Sequence, residues 1–240
     1  MSITTITSPR QPQKHMKPRI ILSHTTLSDG GTLELHEHDG NHYLHVHGQQ
    51  LAGPATRISE DELAKLGTHP FRPARQPKIL LLGLGLGGLL NAVCAAVPQK
   101  RATFSVYEPM WDLIYWQKKF FPEGAAMKDS RVKMLDALSP SLLAKENGTL
   151  HAILMHADTA PTIKNKTIIE DKRWLGAARD ALQNGGLLGI TAMRPIPSLF
   201  GLLKRHGFDV AEHCVEGNTN AKKPRRYPIW LARKGSPEEK

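Results

Sequence analysis

Apolar and polar positions divide the chain into two regions with different periodicities. From residue 78 onward, short apolar runs alternate with helix-length amphipathic stretches, which is typical of an α/β fold with a parallel sheet. We predict strands at residues 78–82, 103–107, 132–135, 151–156 and 187–191. A helix at 197–206 and a final antiparallel strand pair at 208–214 and 227–232 follow. The late pair favours a methyltransferase-type sheet over a nicotinamide-binding one.

The preceding region predicts a β-hairpin. Residues 32–48 alternate apolar and polar side chains around Asp39-Gly40, a dipeptide favoured in two-residue type I′ turns. The pairing places on one face Leu33, Leu35, Leu44 and Val46, and on the other Glu34, His36, His38, Tyr43, His45 and His47. Downstream, Ser59 and Glu62 match a capping box, which predicts a short helix running towards Gly67.

These patterns divide the chain into four segments. Residues 1–18 are polar and punctuated by proline, which predicts a disordered tail. Residues 19–72 predict a small β-rich domain with a short helix, and residues 73–234 predict a Rossmann-like domain. A second short tail covers residues 235–240.

Composition limits the class of protein. The 240 residues can form one α/β domain with a small appendage, and their formal net charge is +10. Cys94 and Cys214 do not resemble a paired-cysteine framework, so we expect buried thiols, no disulfide and a reducing, cytoplasmic location. The longest apolar run, residues 79–90, is too short to cross a bilayer, so we expect no membrane partner.

A glycine cluster links the first strand of the second region to the following helix. Gly83, Gly85, Gly87 and Gly88 carry no β-carbon, so the backbone can approach a nucleotide and the helix can pack closely on the strand. Gly83, Gly85 and Gly88 also fit the G-x-G-x-x-G spacing of a dinucleotide fold. A tight turn that binds no nucleotide is the structural alternative.

Two acidic residues follow the next two strands. Glu108 can accept hydrogen bonds from both ribose hydroxyls, a role that requires an anion with two free oxygens. Asp136 can meet the amino group of adenine, which favours an S-adenosyl ligand. A surface carboxylate and a helix N-cap, respectively, are the structural alternatives.

Basic residues form one dense cluster around Pro224. Lys222, Lys223, Arg225 and Arg226 would lie between two late strands, where they could contact phosphate. We favour a solvated hairpin tip, because charge runs are usually exposed, and keep nucleic-acid contact as the alternative.

Histidines cluster on the polar face of the predicted hairpin. Imidazole suits zinc, copper or nickel, so this face is a candidate metal site. We favour a solvated face without metal, because metal ligands need supporting partners that the sequence does not reveal.

The ordered motifs resemble those of the spermidine synthases and their distant bacterial relatives. The resemblance rests on ILLLGLGLGG, YEP, KDSRVKMLDA, LHAILMHADTAP and RRYPIWLARK, and it spans residues 32–234. It implies a Rossmann-like class I methyltransferase fold preceded by a small β-domain. It also implies transfer of an aminopropyl group from decarboxylated S-adenosylmethionine to an amine.

The resemblance assigns roles to individual residues. The donor, S-adenosylmethionine or its decarboxylated form, is expected at Gly83, Gly85, Gly87, Glu108, Asp136 and Ala137. The aspartate-rich catalytic segment of the family falls on residues 156–161. His156 replaces its first aspartate and Asp158 retains its second, so both are predicted as catalytic, and a hydrogen-bonded structural histidine is the alternative for His156. Glu62 is expected to bind the amine acceptor, with Glu60, Asp61 and Asp158 as further acidic candidates, and an acid-rich helix start is the structural alternative.

Three further interpretations stay open. An ordinary methyltransferase, acting on RNA through the basic cluster, would use the same fold. A noncatalytic relative that binds an adenosyl ligand would explain the loss of the aspartate at His156. The state of assembly also stays open, with a homodimer as one form.

Overall fold

The computed structural model describes residues 18–136, 140–163, 166–217 and 225–235. Its first sheet, within these residues, has four antiparallel strands in sequence order. They are β1 (Ile20–Thr26), β2 (Thr32–His38), β3 (Asn41–Val46) and β4 (Gln49–Ala52). The predicted hairpin is therefore confirmed, and a strand that the pattern did not reveal lies on each side of it. Of the predicted tails at 1–18 and 235–240, residues 1–17 and 236–240 lie outside the described residues.

The register of the hairpin follows the alternating pattern. Leu33 pairs with Val46 and Leu35 pairs with Leu44, as predicted. The turn residues Asp39 and Gly40 both have positive φ, at 51° and 76°, which a type I′ turn requires. The apolar face is buried, so the alternation decides which side of the sheet meets the rest of the protein.

The helix after the hairpin starts earlier than predicted. Helix α1 spans Pro54–Thr68, with proline in its first turn, so the Ser59 capping box is wrong. Ser59 lies buried inside the helix, where its hydroxyl donates to the carbonyl of Thr56 at 2.9 Å. The start is stabilised instead by the Thr56 hydroxyl, which accepts from the Gly53 amide at 3.2 Å.

Helices and strands alternate in the second region. The strands are β5 (Lys78–Leu82), β6 (Thr103–Tyr107), β7 (Val132–Leu135), β8 (Leu150–His156), β9 (Thr162–Ile163), β10 (Lys166–Thr167), β11 (Leu182–Thr191), β12 (Phe208–Glu216) and β13 (Arg226–Lys234). The helices are α2 (Gly88–Ala96), α3 (Trp111–Phe120), α4 (Ala125–Lys128), α5 (Pro140–Lys145), α6 (Lys172–Ala181) and α7 (Leu199–Arg205). Short 3₁₀ turns cover His69–Phe71, Ala157–Thr159 and Ile168–Glu170.

The main sheet confirms the predicted fold class. Among the described residues it has seven strands in the order β12-β13-β11-β8-β5-β6-β7, and β13 pairs antiparallel with both neighbours. The central strands β11, β8, β5, β6 and β7 are parallel. The chain runs from β5 towards one edge of the sheet through β6 and β7, and then returns to β8 on the other side of β5. The strand order therefore reverses between β5 and β8. Ligands of open α/β sheets bind at such a switch point, beyond the carboxyl ends of the strands.

The two sheets are joined through helix α3. Leu33, Leu35 and Leu44 of the first sheet form one buried cluster with Leu113 and Trp116 of α3. Because α3 follows the end of β6, this cluster holds the first sheet close to the switch point.

Other predictions at the level of the chain have mixed outcomes. In the described ranges, no helix combines the length and apolar character needed to cross a membrane. Cys94 and Cys214 are free thiols, but Cys214 is exposed, so the prediction that both are buried is wrong. It lies on β12, a strand at the edge of the sheet.

Candidate functional site

The glycine loop lies at the switch point of the sheet. It connects β5 to α2, and Gly83, Gly85 and Gly87 all have positive φ. The Gly83 amide donates to the carbonyl of Tyr107 at 2.9 Å, which ties the loop to the end of β6. A β-carbon on Gly83 would lie 2.3 Å from the carbonyl oxygen of Thr159, so only glycine fits there.

That contact shows that the chain itself lies on the glycine loop. Thr159 belongs to the 3₁₀ turn Ala157–Thr159, which directly follows β8. Its side chain also approaches Gly85. A ligand that reaches this part of the loop must therefore displace the turn.

Glu108 joins the ends of the two strands that flank this site. Its side chain is buried, with Oε2 accepting from the Leu84 amide at 2.7 Å and Oε1 from the Met110 amide at 2.9 Å. Burial raises the pKa of Glu108, while the hydrogen bonds from backbone amides oppose this rise. Both oxygens already accept one bond, so the expectation of two free oxygens is wrong. Each oxygen retains acceptor capacity for a further donor.

Asp136 emerges beside Glu108 at the same edge of the sheet. Leu135 pairs with Tyr107, so the two acidic residues each come one position after paired strand residues. Asp136 is exposed and can meet a ligand. Ala137, the other residue predicted here, lies outside the described residues.

His156 ends β8 in an almost fully buried position. It is 2% exposed, and neither ring nitrogen has a hydrogen-bond partner among the described residues. Its Nδ1 lies 3.5 Å from Oδ2 of Asp158. Burial lowers the pKa of His156, and the Asp158 carboxylate opposes that shift. The ring is therefore neutral near pH 7, with an unused nitrogen lone pair.

Asp158 turns towards the strand on the other side of β8. Its Oδ2 accepts from the Met193 amide at 2.9 Å, just beyond the end of β11. The carboxyl group remains 31% exposed. It can therefore accept a further donor, whereas His156 is reachable only if the 3₁₀ turn moves.

Helix α3 contributes a residue that the sequence analysis missed. The buried Gln117 side chain donates to the carbonyl of Gly85 at 3.2 Å. It occupies an apolar-face position, one turn after Leu113 and beside Trp116, both of which are buried. The sequence could have indicated Gln117 because its side-chain amide falls on the apolar face of the helix, where a buried polar group requires a hydrogen-bond partner.

Glu62 and Glu60 lie on different faces of α1. Glu62, the predicted acceptor ligand, is near Lys65, with Oε2 3.3 Å from Nζ. Glu60 instead lines a cavity of about 640 Å³ between the first sheet and the starts of α1 and α2. A β-carbon on Gly88 would lie 2.0 Å from Oε2 of Glu60, so this carboxylate closes the start of α2.

The D-S-R-V segment, one of the motifs that carry the family resemblance, holds the sheet to a helix. Arg131 pairs with Asp129 at 2.6 Å and donates to the carbonyls of Cys94 and Val97 at the end of α2. The hydrogen bonds from Arg131 to the Asp129 carboxylate lower the pKa of Asp129 to about 2. The guanidinium also lies over the ring of Phe104, 4.7 Å from its centroid. This motif therefore acts in folding.

The histidine face does not form a metal centre in the part of the chain described. No group of three or more His, Cys, Asp or Glu residues there could hold a metal ion. His36 and His45 stack with ring centroids 4.3 Å apart, and His36 Nε2 lies 2.8 Å from Glu34 Oε2. His45 is only 6% exposed, so the expectation of a solvated histidine face is wrong at this position.

The basic cluster is only partly described. Lys222 and Lys223 lie outside the described residues. Arg226 pairs with Glu216 on the neighbouring strand at 2.9 Å. This exposed pair supports the hairpin and leaves the nucleic-acid alternative as a prediction.

Comparison of the whole architecture with known proteins gives matches in structure alone. No protein-family model and no curated protein sequence matches the chain. The spermidine synthase of Thermotoga maritima is 15% identical, with a TM-score of 0.68 over 90% of this chain and 72% of its own. A spermidine synthase in complex with the transition-state analogue AdoDATO is 16% identical, with a TM-score of 0.69. That match covers 96% of this chain and 83% of the synthase.

The chain has the fold of spermidine synthases. A precorrin-6y C5,15-methyltransferase from Geobacter metallireducens GS-15 is also similar, at 14% identity and a TM-score of 0.53. That match covers 75% of this chain and 87% of the methyltransferase. The fold is thus shared with class I methyltransferases, and the spermidine synthases match more of the chain.

Proposed function

We propose that this protein binds an adenosyl sulfonium donor at the glycine loop and transfers an aminopropyl group to an amine. The observation that carries this proposal is the joining of the loop to Glu108 by the 2.7 Å bond from Leu84, beside the exposed Asp136. An acidic pair at adjacent strand ends, next to a glycine loop at the switch point, suits an adenosine moiety.

The start of α2 argues against a dinucleotide. In dinucleotide-binding folds, a pyrophosphate lies at the start of this helix, where free amides and the helix dipole favour an anion. Here the carboxylate of Glu60 lies against Gly88 at that position. A second anion would be repelled, whereas a cationic sulfonium compound carries no phosphate.

The extent of the structural matches favours aminopropyl transfer over methylation. The two spermidine synthases match 90% and 96% of this chain, against 75% for the methyltransferase. A match over 96% of the chain includes the first sheet and α1, which line the cavity beside the glycine loop.

The residues at the end of β8 are suited to handling the proton of the amine. A sulfonium donor supplies an electrophilic carbon and a neutral thioether leaving group. The attacking amine must be unprotonated, and the product ammonium must lose a proton. Neutral His156 has the lone pair to accept that proton, and the Asp158 carboxylate can hold the amine in line. The role of His156 requires the turn Ala157–Thr159 to lift from Gly83, whereas the Asp158 carboxylate is already partly exposed.

Binding without turnover is a second candidate function. Two observations favour it: His156 is 2% exposed, and the Asp158 carboxylate is engaged by the Met193 amide. A relative that binds the donor but has lost the transfer activity would show this arrangement.

Donor binding and product analysis test these proposals together. We expect calorimetry to show binding of S-adenosylmethionine or its decarboxylated form, and incubation with putrescine to yield methylthioadenosine. Adenosylhomocysteine as product would show methylation instead. Binding with neither product would support the noncatalytic function. Absence of binding by both donors would overturn the proposal.

A further inference from the structure

The outward face of helix α3 combines aromatic and basic side chains. Trp111 is 67% exposed, and Tyr115, one helical turn further on, is 58% exposed. Lys118 and Lys119 continue the same face through the next turn and are also exposed. The opposite face of the helix is buried against the first sheet. The two exposed aromatic rings therefore do not belong to the core of the protein.

The lysines of this face have no acidic partner in the part of the chain that the structure describes. Lys119 Nζ lies 5.0 Å from the centroid of the neighbouring Phe120 ring, and Lys118 forms no ion pair with a described residue. By contrast, helix α1 pairs exposed charges along its own length, as Arg57 does with Asp61 at 3.4 Å. The formal net charge of the whole chain is +10. The outward face of α3 thus presents uncompensated positive charge, which attracts polyanions.

This combination of side chains fits a nucleic acid better than a membrane or a protein surface. A helix that lies in a membrane surface inserts its apolar face, but the apolar face of α3 is already covered by the first sheet. Lysine is depleted in protein interfaces, and a second copy of the chain would bring the same lysines together. In single-stranded nucleic acid, bases stack on aromatic side chains while basic side chains contact the phosphates.

The dimensions and the position of the face suit a short single strand. Trp111 and Tyr115 are separated by about 6 Å along the helix axis, and the lysines follow about 5 Å further on. Each ring can accept one unpaired base, whereas a duplex keeps its bases stacked inside. Helix α3 connects β6 to β7 at one edge of the main sheet, and β12 and β13 lie at the other edge. The face is therefore distinct from the basic cluster around Pro224.

We propose that the outward face of α3 binds single-stranded nucleic acid, with bases stacked on Trp111 and Tyr115 and phosphates against Lys118 and Lys119. Stacking makes this binding tolerant of sequence, because every base has a π-face. The inference goes beyond the proposed transfer reaction and does not depend on it. Its tests contain no adenosyl donor, so failure of the donor site and failure of this site are distinguishable.

Fluorescence anisotropy with matched probes tests the need for unpaired bases. We expect the full chain, in about 0.1 M salt, to bind dodecameric oligouridine at least about tenfold more tightly than an abasic strand or a duplex of the same length. Tighter binding of oligothymidine than of oligouridine would support the proposal with DNA as the partner, and the reverse order would support it with RNA. Equal affinity for the abasic strand, or no binding of either oligonucleotide at about 0.1 mM, would overturn the proposal.

Tryptophan fluorescence gives a local measurement on the wild-type protein. All four tryptophans lie within the described residues, and Trp116, Trp174 and Trp230 are only 3%, 3% and 1% exposed. Acrylamide quenching therefore reports mainly on Trp111. We expect oligouridine to quench the emission of Trp111 and to protect it from acrylamide. Oligouridine binding that leaves acrylamide quenching unchanged would contradict the proposal.

Aromatic variants test the stacking contacts. The double variant Trp111→Ala, Tyr115→Ala should weaken oligouridine binding about tenfold or more and remove the preference over the abasic strand. The double variant Trp111→Phe, Tyr115→Phe keeps both rings and should retain that preference. Unchanged affinity in a folded double alanine variant would refute the assignment. Binding to phosphatidylserine vesicles that requires Trp111, without oligouridine binding, would assign the face to a membrane and overturn the proposal.

Lysine variants test the phosphate contacts. The double variant Lys118→Gln, Lys119→Gln should reduce the slope of log affinity against log salt by about 1.4, because each lost phosphate contact accounts for about 0.7. The matched control is Lys100→Gln, Arg101→Gln, which removes the same charge from exposed positions before β6 and should leave the slope unchanged. Equal slopes in the two double variants would show that net charge, rather than the face of α3, binds the strand.

Discussion

The backbone amide of Leu84 donates a 2.7 Å hydrogen bond to Oε2 of Glu108, which is 24 residues away in the sequence. This bond fixes the glycine loop against the end of β6. Glu108→Gln places an NH₂ group against one of two backbone amides, so one donor is left without an acceptor. We expect a loss of about 1 kcal/mol in unfolding free energy and at least about tenfold weaker adenosyl binding.

Asp136→Asn separates the loss of stability from the loss of donor binding that we expect for Glu108→Gln. Asp136 is exposed, so its substitution should leave urea unfolding unchanged while weakening donor binding. Calorimetry and urea denaturation on both variants supply the comparison. Wild-type donor affinity in a folded Glu108→Gln variant would remove Glu108 from the site.

Because Gly83 contacts Thr159, a methyl group added at Gly83 should reduce the unfolding free energy strongly. Gly83→Ala combines positive φ with a β-carbon 2.3 Å from a backbone oxygen, so we expect a loss of about 2 kcal/mol or more. Gly185→Ala is the matched control, because φ is +74° there and no atom lies within 4 Å. It should cost about 1 kcal/mol. Equal losses in urea denaturation would show that the turn does not rest on the loop.

The Asp129–Arg131 pair predicts acid sensitivity. The pKa of Asp129 is about 2 in the folded protein and 3.8 as the unperturbed value, so this group stabilises the fold above pH 4. Its contribution, about 2 kcal/mol, should disappear as the pH falls from 4 to 2. Asp129→Asn should lose that stability at pH 7 and show a smaller pH dependence in this range.

His156 predicts a second pH dependence, at higher pH. Burial lowers its pKa below the unperturbed 6.5, so the unfolded chain takes up this proton before the folded protein does. The associated stability is fully present above pH 6.5 and declines as the pH falls below it. His156→Gln should reduce this decline in chemical denaturation, whereas substitution of the exposed His213 should not. The same slope in both variants would contradict a buried neutral imidazole.

The strand pattern of the main sheet could be predicted because each strand is a local apolar run. All five predicted parallel strands are present, and β5, β6 and β7 have the predicted bounds. The start of α1 could not be predicted as well, because Ser59 and Glu62 fit a capping box equally in the interior of a helix. Pro54 and the bond between Thr56 and Gly53 decide where that helix begins.

The sequence by itself determined the strands of the main sheet, the central hairpin of the first sheet, the glycine loop, and the acidic residues that follow β6 and β7, because periodicity and turn chemistry are local properties. Only the tertiary structure decided that Glu108 holds the loop, that Thr159 lies on Gly83, and that Glu60 rather than Glu62 enters a cavity. These relationships join residues far apart in the sequence. They depend on how α1, α3 and the end of β8 pack around the switch point, which no local pattern encodes.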